Sequence, residues 1–226
     1  MLKADLHLHA KEDVRDTVKY TVKELIDHMA SLGFNVMALT FHDQSYRSEE
    51  MNKYAASKGI TIIPAIERTI EKTHVLIYNL DPKKAESIKT FEDLKKIKSK
   101  DILITAPHPF FFLHSVGKFL DRKIEFFDAL EYSSFYQALF NRNKLGAKAA
   151  KKYNLPLVGG TDAHFLNQIG YTYTLVDSKN NIPSIIKAIK SNKIQLVTRP
   201  LPFSLFFKNL FTLLVLSPLK FNKRRK

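Results

Sequence analysis

The sequence contains no cysteine. That excludes disulfide frameworks and thiolate metal sites, so any bound metal must be held by His, Asp and Glu. It is compatible with a reducing compartment without requiring one. Glycine is scarce, at 7 residues of 226, and no glycine-rich loop capable of cradling a phosphate is present. No internal repeat or flexible linker stands out. Acid is in deficit: 36 Lys and Arg face 22 Asp and Glu, a formal charge of +14. Such an excess favours anionic partners, namely phosphorylated small molecules, nucleic acid or an anionic membrane, without choosing among them. Lysine crowds residues 95–100 and 148–152, and Lys220, Lys223, Arg224, Arg225 and Lys226 cluster in the tail. Most of these read as solvated faces. An N-terminal apolar run is also lacking, because Lys3 and Asp5 interrupt it. No secretory signal is therefore expected, and the expected location is cytoplasmic.

What is present suits one globular domain with a sizeable core: 45% apolar and 26% charged residues. Short apolar runs alternate with helical patterns. Residues 2–6, 36–40, 60–66, 74–78, 102–106, 127–131, 155–158 and 173–176 read as strands. Residues 18–32, 48–57, 83–98, 135–152 and 184–191 read as helices, the first stopped by Gly33. This rhythm predicts a mainly parallel sheet with helices outside it, either a closed or nearly closed barrel or an open doubly wound sheet.

Residues 201–219, LPFSLFFKNLFTLLVLSPL, differ from the rest. Pro202 can start a helix and Pro218 can end one. Ser204, Lys208 and Thr212 make a narrow polar stripe on a broad apolar cylinder. Such a helix is roughly 22 Å long at ~1.5 Å per residue, short of a ~30 Å hydrocarbon core. Two readings stay open. The segment caps the barrel or a partner subunit, which leaves a homo-oligomer open, or it lies in a membrane interface at the inner face, anchored by the basic tail. The division expected is a barrel over residues 1–199 and an apolar segment with basic tail over 200–226.

Chemistry concentrates at strand ends. His7 and His9 follow the first strand in ADLHLHA, spaced so that strand alternation sends both imidazoles to one side. His42 follows the second strand in LTFHD, Glu67 ends the third in IIPAIE, and His74 begins the next in THVLIY. His108 follows a strand in ITAPHP, and Asp162 and His164 follow another in LVGGTDAH. Active sites of barrels assemble at the C-terminal ends of strands. Burying so many titratable groups together is costly unless cations satisfy them. His28 and His114 stand outside the pattern and read as surface or satisfied core residues.

These segments, in this order, resemble the PHP family of polymerase and histidinol phosphatase domains, over residues 5–164. The resemblance implies an α/β fold, a distorted (βα)7 TIM-like barrel, with two or three divalent ions, Zn, Mn or Fe, and cleavage of phosphate esters by metal-activated water. It implies that His7, His9, Glu67 and Asp162 hold one metal, and that Glu67 bridges to a second held by His74 and His108. His42 and His164 would hold a third. The expected mechanism has that metal or a protonated His stabilise the leaving oxygen, with Glu67, His42 and His164 as the catalytic residues. The chain departs from the family at two points, both bearing on that third site. The loop after the HxH pair reads KEDVRD, without the common Ser-Asp-Gly, leaving Asp13 as the better ligand candidate and Asp16 as the lesser. Phe41 stands where the family often has Asp.

Arg68 could meet a phosphate, although strand alternation argues against it, and Glu131 could line the pocket or orient a ligand histidine. The apolar run 109–113 either walls the pocket or packs the barrel. The leading expectation is a phosphoesterase acting on a small molecule such as a nucleotide or sugar-type phosphate. The alternatives are a phosphodiesterase or nuclease on short RNA or DNA, and a non-catalytic scaffold in a larger complex.

Overall fold

The computed structural model describes residues 1–111 and 114–211. The first half of the chain runs β1 (Leu2–Leu8), α1 (Val22–Ser31), β2 (Val36–Leu39), α2 (Glu49–Ser57), β3 (Thr61–Ile70), β4 (Thr73–Tyr78), α3 (Pro82–Ser87), α4 (Phe91–Ile97) and β5 (Leu103–Ala106). The second half runs α5 (Leu120–Lys123), β6 (Ala129–Ser133), α6 (Asn143–Tyr153), β7 (Leu157–Gly160), β8 (Thr172–Val176), α7 (Ile182–Lys190), β9 (Ile194–Thr198) and α8 (Phe203–Phe211).

The strands form one nine-stranded sheet in the order β7-β6-β5-β4-β3-β2-β1-β8-β9. β1, β2 and β3 are mutually parallel, as are β5, β6 and β7. β4 is antiparallel to both its neighbours, and β8 and β9 add an antiparallel pair beside β1. The sheet curls until β7 meets β1 and β8. Asp162 N–H donates to His7 O at 2.9 Å, and Gly159 N–H donates to Thr174 Oγ1 at 2.7 Å. Gly159 and Gly160 allow this approach. A Cβ on Gly159 would lie 2.8 Å from the backbone of Tyr173, and one on Gly160 would lie 2.9 Å from the His7 Cβ. The result is a nearly closed TIM-like α/β barrel of nine strands, in which β4, β8 and β9 run antiparallel to every strand they pair with.

Three apolar clusters hold the layers together. α1 buries Val22, Leu25, Ile26 and Met29 against Leu8, Met37 and Leu39. Phe91 and Leu94 of α4 pack with Ile66, Ile77, Ile104 and Leu130. α7 buries Ile185, Ile186 and Ile189 with Ala4, Leu6, Val36 and Ile63, each such side chain contributing roughly 1.5–3 kcal/mol.

Several boundaries differ from the sequence reading for local reasons. α1 begins at Val22 because Thr21 and Glu24 form a capping box. The predicted helix 83–98 is two helices, since Thr90 caps α4 by a second box with Asp93. The predicted helix 135–152 forms only from Asn143, and residues 135–142 are irregular. β9 was not anticipated. The described part of the 201–219 segment is docked on the barrel: Leu205 and Asn209 are buried, and Phe206 stacks on Phe135 with ring centroids 4.6 Å apart. Residues 212–219, the basic tail, and residues 112–113 of the apolar run lie outside the described residues. No described helix is long and apolar enough to cross a membrane.

Candidate metal centre

The ends of successive strands bring the ligand-type side chains together. β1 ends at Leu8, so His7 is its penultimate residue and His9 lies just beyond. His42 follows β2 and forms an isolated bridge with Glu67 of β3. His74 lies on β4, where its N–H donates to His114 O at 2.8 Å. His108 follows β5, and Asp162 and His164 follow β7. His108 and Asp162 both adopt left-handed backbone, with φ of 29° and 49°. Such conformations cost about 1–3 kcal/mol each and persist where surroundings hold them. Here the Glu131 carboxylate accepts the His108 N–H at 2.8 Å, and the His7 carbonyl accepts the Asp162 N–H.

The tightest convergence involves His7, His9, Glu67 and Asp162. His7 Nε2 lies 3.5 Å from Glu67 Oε2 and 3.6 Å from Asp162 Oδ1. His9 Nε2 lies 3.4 Å and 3.3 Å from the same two oxygens. Ligand atoms ~2.0–2.2 Å from a tetrahedral ion stand ~3.3–3.6 Å from one another. His7 Nε2 and His9 Nε2 are buried yet have no hydrogen-bond partner. Unsatisfied buried polar atoms call for an explanation, and a cation among them supplies it.

Hydrogen bonds aim the rings. Glu131 Oε1 lies 2.9 Å from His7 Nδ1, and Asp13 Oδ2 lies 3.0 Å from His9 Nδ1 and 2.9 Å from His42 Nδ1. The backbone carbonyl of Asp162 lies 3.0 Å from His164 Nδ1. Carboxylate and carbonyl oxygens only accept, so each Nδ1 carries a proton and Nε2 is the nitrogen left to face a metal. Outer carboxylates of this kind fix the tautomer of metal-ligating histidines.

Glu67 is central. Its Oε2 faces His7, His9 and, at 3.2 Å, His42 Nε2. Its Oε1 faces His74 Nδ1 at 2.7 Å and His108 Nε2 at 3.6 Å. A third grouping joins His9, Asp13, Asp16 and His42. Within it, Asp13 Oδ2 also accepts the His42 N–H at 2.9 Å, so that oxygen is occupied three times over. Asp16 Oδ2, by contrast, is buried without a hydrogen bond and lies 3.3 Å from His164 Nε2.

Electrostatics follow the geometry. Burial opposes charge on His7 and His9, but the carboxylates of Glu131, Asp162 and Glu67 around the first, and of Asp13, Asp162 and Glu67 around the second, raise both pKa values well above the ordinary histidine range. Burial likewise opposes ionisation of Glu67 and Asp162, yet the surrounding histidines hold both well below the usual carboxylate range. Burial lowers His74, against the pull of Glu67. Beneath the cluster, burial pushes Asp5 up to about 7, opposed by hydrogen bonds from Thr161 and the His7 N–H.

Not every candidate faces the centre. Arg68 turns away: its Nη1 pairs with Asp43 at 2.5 Å and its Nε donates to Ile88 O at 2.8 Å. Glu131 orients His7 rather than standing among the inner ligand atoms. The sequence reading set His114 aside as a surface or core residue and did not single out Asn209. His114 stacks on His74 at 4.6 Å with planes 8° apart, and Asn209 of α8 lines a small cavity with His108, Asp162 and His164. His28 stays on α1, away from the cluster. No spacing rule marks His114 or Asn209, since folded loops and the returning helix place them.

Above the cluster lies a cleft of about 780 Å³, lined by His42, His74, His108 and His164 on its floor and by Phe110, Phe111, Phe135 and Phe206 on its walls.

The PHP-associated family, PHP_C, matches residues 140–194. No curated protein sequence matches the chain. Solved structures do match in fold. PsfC from Pseudomonas syringae is 17% identical, with a TM-score of 0.64 over 88% of this chain and 91% of that one. A proposed metal-dependent phosphoesterase from Bifidobacterium adolescentis is 16% identical, with a TM-score of 0.56 over 72% of this chain and 87% of that one. The lesion-specific endonuclease PfuEndoQ from Pyrococcus furiosus is 16% identical, with a TM-score of 0.59 over 86% of this chain and 57% of that one. The PHP-associated match is confined to residues 140–194, and the solved structures share their fold with this chain.

Proposed function

We propose that this protein is a metal-dependent hydrolase of phosphate esters on small molecules. The observation that carries the reading is the convergence of His7 Nε2 and His9 Nε2, buried and without hydrogen-bond partners, on Glu67 Oε2 and Asp162 Oδ1. The donor set fits divalent ions. His7, His9, Asp162 and Glu67 Oε2 would hold one, and Glu67 Oε1 with His74 and His108 a second. His42 and His164, joined by Asp16, would hold a third, with Asp13 positioning His9 and His42 from outside. The imidazoles of the set suit Zn or Fe, and its carboxylates also admit Mn. When bound, such ions bind a phosphate electrophilically and lower the pKa of water enough for attack near neutral pH.

The chain's own groups do the rest. Glu131 and Asp13 lock ring orientation, so the inner lone pairs need no reorganisation. His42 and His164 line the cleft beside the cluster, where they can stabilise the departing oxygen. The aromatic walls exclude bulk water, which strengthens every charge interaction inside. The relative described as a metal-dependent phosphoesterase supports this chemistry.

The endonuclease relative and the net charge favour a nuclease instead. The cleft speaks against it, because Arg142 is its one Lys or Arg side chain among the described residues. Hydrolysis of p-nitrophenyl phosphate and of bis-p-nitrophenyl phosphate with Mn or Zn, before and after chelation, tests the reading. Chelator-sensitive cleavage of the monoester supports it. Cleavage of the diester alone moves the assignment to a phosphodiesterase, and cleavage of neither moves it to a scaffold.

A further inference from the structure

The cleft is too large and too apolar for a phosphate alone. It holds about 780 Å³, and its walls above the histidines are largely aromatic. α8 forms one side of it and is fixed there. Phe206 stacks on Phe135, Leu205 is buried, and the Gln137 side-chain amide donates to Leu201 O at 2.5 Å. At the rim, Phe140, Phe203 and Phe207 are 74%, 63% and 50% exposed. Apolar area of this extent, continuous with a functional cleft, marks a surface that binds something.

A second, independent observation lies on the same helix. Asn209 is 1% exposed, and neither its Oδ1 nor its Nδ2 has a hydrogen-bond partner. It borders a cavity of about 50 Å³ shared with His108, Asp162 and His164. A buried amide left unpaired is costly, and a polar ligand group in that cavity removes the cost. α8 therefore brings an apolar wall and an unsatisfied amide to the same cluster.

We infer that the substrate is an amphiphilic phosphate ester, with a long apolar group along the aromatic cleft and a hydroxyl or similar polar group near its phosphate that pairs with Asn209. The inference rests on the phosphoesterase reading. In the reaction, water oxygen bonds to phosphorus, the ester P–O bond breaks, and the apolar alcohol leaves with a proton from that water. Inorganic phosphate is the other product. A nucleotide base could also stack on phenylalanine, but most of the wall offers nothing to its polar edge.

The test uses the metal-loaded full chain and a series of soluble monoesters below micellar concentration: ethyl, butyl and octyl phosphate, 1-octylglycerol 3-phosphate, and adenosine monophosphate. Complete burial of one methylene is worth up to about fourfold in kcat/KM. Octyl phosphate is expected to exceed ethyl phosphate by ~100-fold or more, and the glycerol ester to exceed octyl phosphate. Phe206→Ser should lower the octyl-to-ethyl ratio by on the order of tenfold. Phe207→Ser, at a half-exposed site where folding is safe, should lower it in the same direction. Asn209→Leu should erase the advantage of the glycerol ester. Calorimetry with octyl and methyl phosphonate gives the same comparison without turnover. Phosphatidic acid in phosphatidylcholine vesicles, set against octyl phosphate in solution, tells a bilayer source from a soluble one. Equal rates from ethyl to octyl, or a preference for adenosine monophosphate, would overturn the amphiphile and leave the phosphoesterase intact. Octyl phosphonate binding no tighter than methyl phosphonate, with no ester cleaved, would overturn both.

Discussion

Two oxygens of Glu131 govern much of the centre without touching an inner ligand position. One holds His7 Nδ1 and the other holds the strained His108 backbone. Glu131→Ala is expected to weaken metal binding ~10–100-fold, read by titration with a competing chelator; unchanged affinity would mean that His7 is aimed by packing alone. Gly160 reports on the same contact from the other side. A Cβ there would lie 2.1 Å from Glu131 Oε1, so Gly160→Ala must displace that carboxylate. Overpacking of this kind costs about 1–3 kcal/mol, and the same metal titration should show a parallel loss. Protons also report. The metal-free chain holds His7 and His9 above their usual pKa, so both carry protons near pH 7 that a metal must displace. Metal binding should release protons, and its apparent affinity should climb with pH until those folded-state values are passed. Calorimetry in two buffers of different ionisation enthalpy measures the release, and equal heats in both would contradict it.

At the scale of elements, strand ends were the most legible feature. The HxH pair, Glu67, His108 and the TDAH segment sit where short apolar runs stop, and the runs themselves mark β1, β3, β5 and β7. Helix starts were less legible because caps set them. Val18 continues the apolar face of α1 in sequence and is buried with it, yet Thr21 ends the extended chain. The β3–β4 hairpin was hidden too. Its turn at Glu71 and Lys72 takes positive φ at both residues, with neither glycine nor asparagine to announce it. KEDVRD does not tell Asp13 from Asp16, and the structure brings both beside His9 and His42, with Asp16 Oδ2 the oxygen left without a hydrogen bond. Thr21→Ala tests the capping argument: it should cost about 1 kcal/mol, visible as a lower melting temperature, with metal affinity unaffected. A loss of affinity as large as that of Glu131→Ala would show that α1 and the centre are coupled.

For the whole molecule, the barrel closes where Gly159 and Gly160 let β7 approach β8 and β1, and closure gathers side chains from residue 7 to residue 164 into one centre. The net charge of +14 lies largely elsewhere, since the cleft carries Arg142 as its single Lys or Arg among the described residues. Monoester hydrolysis should therefore change little with ionic strength, whereas a steep fall would point to a long polyanion. Glu67 is proposed to join two metal positions in this barrel. Elemental analysis of the purified protein beside Glu67→Gln, with circular dichroism to verify the fold, tests it most directly. About two ions or more per chain are expected in the natural protein, fewer in the folded variant, and loss of hydrolysis with them. Equal metal content in both proteins, or none in either after incubation with Mn or Zn, would contradict it.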